Sequence, residues 1–183
     1  MQSSKNKREF AMLQLSTDRN GLHALIEHIP IILLLVAPFF VVVSMGLAAP
    51  KRRPFLWSAL TLMAIGTAMT FVAVTTGETA MKLADSAPLL KAALEEHQSL
   101  AETTRELFIM LTLGFAGLLF APRLVGRELD SRMNTALLAI FLLVYATGAL
   151  FLVHTALQGE HLVRELEAKT AAAYQLSGKE GAR

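Results

Sequence analysis

Five histidines, His23, His28, His97, His154 and His161, are the residues of this 183-residue chain with the clearest capacity for chemistry. Imidazole is the commonest protein ligand for metals and an axial ligand of haem iron. His28 stands two residues before Pro30, at the head of about twenty uncharged residues that run to Ala49. His154 and His161 are seven residues apart, so on a helix they share a face about 10 Å apart along the axis, too far to bind one ion together. Thr147, Phe151, His154, Gln158 and His161 form one helical stripe, expected to point into a bundle. His28, His97, His154 and His161 are therefore the candidate ligands for haem b or for a copper, zinc or iron ion. Arg105 and Arg164 are placed to pair with haem propionates through charge-assisted hydrogen bonds. Glu27, Glu78, Glu95, Glu96 and Glu160 add carboxylates beside the same imidazoles. His23 is read as an ordinary interfacial polar residue, and Met63, Met69 and Met110 as core filler rather than copper ligands.

The elements that must position these groups are membrane helices. The chain is 54% hydrophobic with a mean hydropathy of +0.48, and 17% of its residues are charged, against about a quarter in soluble domains. Four apolar stretches, about 29–49, 55–76, 107–121 and 134–156, are each long enough to cross or nearly cross a hydrocarbon core of about 30 Å. The fold class is all-α: a polytopic membrane protein with a four-helix transmembrane bundle over residues 21–174. A polar tail over 1–20 precedes it and a disordered end over 175–183 follows. Thr17 or Asp18 is expected to cap a short helix carrying His23 and His28. Pro38, mid-span, predicts a kink, with the freed carbonyl of Leu34 satisfied by a neighbouring helix. Pro50 to Pro54 reads as a tight loop. Gly66, Thr67, Thr70, Thr75 and Thr76 are the small and hydroxylated residues that let membrane helices approach closely. Phe39-Phe40 and Leu119-Phe120 read as lipid-facing.

Ser86-Ala87-Pro88 is a helix-start signal. From there Leu90, Leu94, His97, Ala101, Thr104, Phe108 and Leu111 recur at helical spacing, predicting one continuous helix that stands above the membrane and runs into the third span. His97 lies on that apolar stripe. The fourth span likewise continues outward as a helix to about Tyr174, so helices three and four extend beyond the outer membrane face.

The connections at 50–54 and 122–133 hold six Lys or Arg against two acids, Glu128 and Asp130. The positive-inside rule then places both in the cytoplasm and both termini outside, although Lys5, Lys7, Arg8 and Arg19 run against that assignment. All five histidines fall at the outer end. With no cysteine, disulfides, iron–sulfur clusters, thiolate metal sites and covalently attached haem are excluded. No secretory signal peptide is expected, because Met1 to Asn20 is polar. The spread of basic residues gives no nucleic-acid footprint. The spans hold no Asp, Glu, Lys or Arg of the kind that marks an ion-coupled pathway. No nucleophile elbow or HExxH pair suggests an autonomous enzyme.

The head LHALIEHIPIILLLV is similar to the H-P-x-x-x-H-x-P opening of a set of small bacterial and archaeal membrane proteins, domain-of-unknown-function family 2231. Thr76-Gly77-Glu78, His97, and His154 followed by Gly159-Glu160-His161-Leu162-Val163 resemble that family's later landmarks, over residues 22 to 165. The chain departs from the pattern at Ala24, where the family usually carries proline. The resemblance implies a four-span fold with histidines at one face, in a bacterial or archaeal cytoplasmic membrane, and no particular activity. Taken together, these features lead to the expectation of a membrane protein that binds haem b or a transition metal at its outer face and passes electrons to or from quinone or a redox partner protein. The alternatives are a non-catalytic accessory subunit of a larger membrane complex and, more weakly, a metal-delivery or metal-sensing protein.

Overall fold

A computed structural model describes residues 28–83, 88–126 and 130–180. The N-terminal tail, the proposed cap at Thr17 or Asp18, His23, Glu27 and the start signal at Ser86 lie outside the described residues. Four helices are described: α1 His28–Met45, α2 Ala49–Leu83, α3 Pro88–Val125 and α4 Ser131–Glu180. All four are long and apolar enough to cross a membrane, and no strand occurs among the described residues. The chain is an all-helical, four-helix membrane bundle. At about 1.5 Å per residue, the 38 residues of α3 and the 50 of α4 run to roughly 57 and 75 Å, far more than a bilayer needs. α3 is continuous from Pro88, as its hydrophobic spacing predicts. α4 runs on to Glu180, past the predicted end at Tyr174. Its terminal sequence, rich in Ala, Gln, Leu and Lys, favours helix and outweighs the cost of the single Gly178, about 1 kcal/mol.

Each helix touches both of its neighbours. α1 meets α2 where a Cβ on Gly66 would lie 2.8 Å from Leu34 Cγ, so only glycine permits this approach. α2 meets α3 through hydroxyls: Thr67 Oγ1 lies 2.9 Å from Thr112 Oγ1 and donates to the Phe108 carbonyl at 3.4 Å. α3 meets α4 through Thr104 and Thr155, whose hydroxyls are 2.9 Å apart. α4 returns to α1 through Tyr145, whose hydroxyl donates to the carbonyl of Leu34 at 2.7 Å. Proline has no N–H, so Pro38 leaves that carbonyl without its intrahelical donor, and the expected neighbouring helix supplies one. Between these contacts the core is filled by Leu34, Met63, Phe108, Phe115 and Phe141 around Tyr145. Met110, expected to fill the core, is exposed instead, because Leu111 takes the inward position beside it.

The stretch 50–54, read as a loop, forms the start of α2. Ala48 offers its carbonyl to the N–H of Arg52 at 3.0 Å, and Pro50 sits in the first turn, where no N–H is required. Arg52 folds back and is buried, 8% exposed. Its Nε donates to the Ser44 carbonyl at 3.1 Å, and an Nη reaches the carbonyl of Met45 and Thr135 of α4 at 3.5 Å each. These carbonyls close the C-terminus of α1, which therefore ends at Met45 rather than Ala49; a cation there also opposes the negative end of the helix dipole. At this end Trp57 and Phe120 meet edge-on at 5.5 Å, half-exposed, as interfacial aromatic residues do.

Tyr145→Phe is expected to lower the melting temperature in detergent, at a cost of about 1–2 kcal/mol for the lost interhelical bond. In a Pro38→Ala background, residue 38 regains an N–H for Leu34, and Tyr145→Phe should then cost measurably less. Additive losses would show that the tyrosine does not serve that carbonyl.

Candidate functional site

The contacts between helices set the heights of the candidate residues. Thr104 pairs with Thr155, so Arg105 and His154 lie at one level. The Arg105 guanidinium carbon lies 5.2 Å from the centroid of the Phe71 ring, which brings α2 to the same level. Leu34 packs on Gly66, which places His28, about six residues nearer the projecting end, close to it as well. Fourteen residues on α2 (Phe71 to Trp57) and fifteen on α3 (Arg105 to Phe120) separate this level from the Trp57–Phe120 pair, about 21–22 Å along the axis and somewhat less than a hydrocarbon core of about 30 Å. His28, Arg105 and His154 therefore share a height toward one end of the apolar helices, and His97 and His161 lie farther along toward the projecting end.

Height is shared, but direction is not. His28, His154 and His161 are exposed on their helices. The inward face of α4 is Leu138, Phe141, Tyr145, Gly148, Leu152, Thr155 and Leu162. The predicted stripe Thr147, Phe151, His154, Gln158, His161 is thus rotated away from the core. Thr147, Phe151, His154 and His161 are exposed, and only Gln158 is partly buried. The physical reason is the bond from Tyr145 to Leu34, which fixes which face of α4 points inward. His161 lies 3.6 Å from Glu165, and Arg164 pairs with Glu160 one turn back, both on the water-exposed surface. Arg164 is thereby drawn away from any bound propionate, and Glu95 and Glu96 are exposed on α3.

His97 is the candidate that faces protein. Its ring is half-buried against Gly159 of α4, where a Cβ would come within 2.9 Å of Cε1 and 3.2 Å of Nε2. Glycine at 159 therefore makes the space that the imidazole occupies. On the flank of α4 beside this contact, Gln158 carries a buried Oε1 with no hydrogen-bond partner among the described residues. On α3, Arg105 is half-buried and its Nε is likewise buried without a partner among the described residues.

Among the described residues no three His, Asp or Glu side chains converge as metal ligands. Among the described residues, His28, His154 and His161 are exposed on their helices while His97 is seated against Gly159, and the core between the helices is filled by aromatic and aliphatic side chains. His28, His97, His154 and His161 as placed do not fit a group shared between them. The fit of His97 to Gly159, the Thr104–Thr155 pair and the capping role of Arg52 are the features that the residue pattern alone does not announce. The small residues Gly148, Thr155 and Gly159 on α4 are the signal that locates the inward face. No family model, curated protein or solved structure matches the chain.

Carbethoxylation of the detergent-solubilised protein should modify His161, whose side chain is 74% exposed, well ahead of His97. Gly159→Leu should expel the His97 ring and erase that difference in rate. Equal rates in the unmodified sequence would contradict the contact.

Proposed function

We propose that the chain is a non-catalytic accessory subunit of a larger membrane complex, docking its partner on the parts of α3 and α4 that project beyond the bilayer. The observation that supports this reading is surplus helix. About twenty residues suffice to cross a membrane, whereas α4 has 50, of which Ser131–Glu165 form the apolar stretch. The projecting end of that stretch does not present a purely polar surface. Leu157, one turn before His161, is 61% exposed, and Val163, on the opposite flank of α4 from His161, is half-exposed. Large exposed apolar side chains toward the projecting end of the apolar stretch suit a protein partner.

The positive-inside rule supports an orientation with the Arg52 end in the cytoplasm and the projecting end outside a bacterial or archaeal cytoplasmic membrane. Membership of domain-of-unknown-function family 2231 belongs to the same proposal and rests on the motif residues around His28, His97 and His154. Electron transfer, metal delivery and metal sensing are the second reading, and they rest on His28, His97, His154 and His161.

Purification in mild detergent from cells expressing the chain at native level tests the proposal. The expected result is a stoichiometric partner that is lost in Leu157→Asp/Val163→Asp, with no visible absorbance and no bound metal. A Soret band that shifts in His154→Ala would overturn the reading and return the histidines to a ligand role. A chain that purifies alone would overturn it too.

A further inference from the structure

We propose that Arg105 and Phe71 hold the phosphate of an anionic phospholipid, at the membrane boundary between α2 and α3. Arg105 is the last basic residue before the apolar stretch 108–120 of α3. Its guanidinium lies over the Phe71 ring, 5.2 Å from the centroid, and this cation–π contact holds it against α2. It makes no ion pair among the described residues, and its Nε is buried without a hydrogen-bond partner there. The nearest acids on its own helix are turned elsewhere. Glu102 accepts a hydrogen bond from Gln98 at 2.9 Å, and Glu106 is exposed on a face about 100° round the helix.

The other described arginines differ. Arg52 is occupied by the carbonyls of Ser44 and Met45, and Arg164 by Glu160. Arg53 and Arg132 are exposed at the opposite end. Arg105 alone among them is half-buried and without an oxygen acceptor. A guanidinium is always charged and presents its donors in a planar fork that matches phosphate.

The surroundings argue for a lipid as the source of that phosphate. The Phe71 ring is 46% exposed on the lipid-facing surface of α2. Ala68 and Ala64, both exposed, follow on the same flank one and two turns toward the bilayer centre. Small side chains there let an acyl chain lie close against the helix, below a headgroup bound at Arg105. Free phosphate gains nothing from this apolar flank, whereas a phospholipid uses both parts. An anionic headgroup is favoured over a zwitterionic one because the site supplies a cation with no acid paired to it among the described residues.

The test is a titration of delipidated protein in detergent with short-chain phosphatidylglycerol, phosphatidylcholine or inorganic phosphate, read by native mass spectrometry and thermal unfolding. Phosphatidylglycerol should bind about fivefold or more tightly than phosphatidylcholine, the effect of roughly one interfacial charge. Arg105→Gln should abolish that preference, Arg105→Lys should keep part of it, and Arg132→Gln should leave it intact. Phe71→Leu, which keeps the charge but removes the ring, should weaken phosphatidylglycerol binding and provides the test if Arg105→Gln fails to fold. An unchanged preference in Arg105→Gln, or in Phe71→Leu, overturns the proposal. A rise in melting temperature with inorganic phosphate as large as that with the lipid overturns the assignment to a phospholipid.

Discussion

The structure depends on one hydrogen bond, from the Tyr145 hydroxyl to the Leu34 carbonyl. Pro38 removes the N–H that would satisfy this carbonyl, and a bilayer interior offers no water to replace it. An unsatisfied backbone group there costs several kcal/mol. Tyr145 meets the need from α4 and is itself almost completely buried, its ring lying edge-on to Phe108 at 5.5 Å and beside Phe141 at 5.7 Å. Because its ring and its hydroxyl are both engaged, α4 has little freedom to turn about its axis. Gly148, Leu152 and Thr155 then face the core, and His154 faces away. The placement of every candidate on α4 follows from a proline on α1.

Polar contacts set register elsewhere in the bundle as well. Lipid tails are as apolar as leucine, so apolar packing between membrane helices carries little directional preference, and hydrogen bonds and small residues decide which faces meet. Here the Arg52 cap joins α1, α2 and α4 at one end, Thr67 and Thr112 join α2 to α3 in the middle, and Thr104 and Thr155 join α3 to α4 near the other boundary. Gly66 and Gly159 remove side-chain bulk where Leu34 and His97 need the space. The aromatic and aliphatic core fills what these contacts outline.

How much of this the sequence reveals depends on the residue. The four spans, the continuity of α3 through His97, the neighbouring-helix donor for Leu34 and the close approach at Gly66 and Thr67 are all legible, because proline, glycine and threonine have local stereochemical meaning in lipid. The facing of α4 is not legible from hydrophobic spacing, since its membrane part is apolar on every side and imidazole spacing says nothing about rotation. The small-residue criterion finds the buried Gly66, Thr67 and Thr70 of α2 but also the exposed Thr75, whose hydroxyl donates to the Phe71 carbonyl of its own helix. Applied to Gly148, Thr155 and Gly159, it selects the inward face of α4. Arg52 is misread for a different reason. A basic residue between two prolines looks like a solvated loop cation, and nothing nearby indicates that its side chain closes the helix before it.

The two locks on α1 also differ in when they can form. Arg52 lies 8 residues after Ser44, so its cap closes as soon as the first hairpin exists. Tyr145 lies 111 residues after Leu34. At ribosomal speeds of about 5–20 residues per second, the carbonyl of Leu34 waits on the order of ten seconds for its donor. During that interval the first helix sits in the membrane with a polar group exposed at mid-depth. The last helix to be synthesised therefore completes the first. Until it arrives, α1 offers a hydrogen-bond acceptor in the bilayer, where an insertion factor or a stray hydroxyl-bearing helix can engage it.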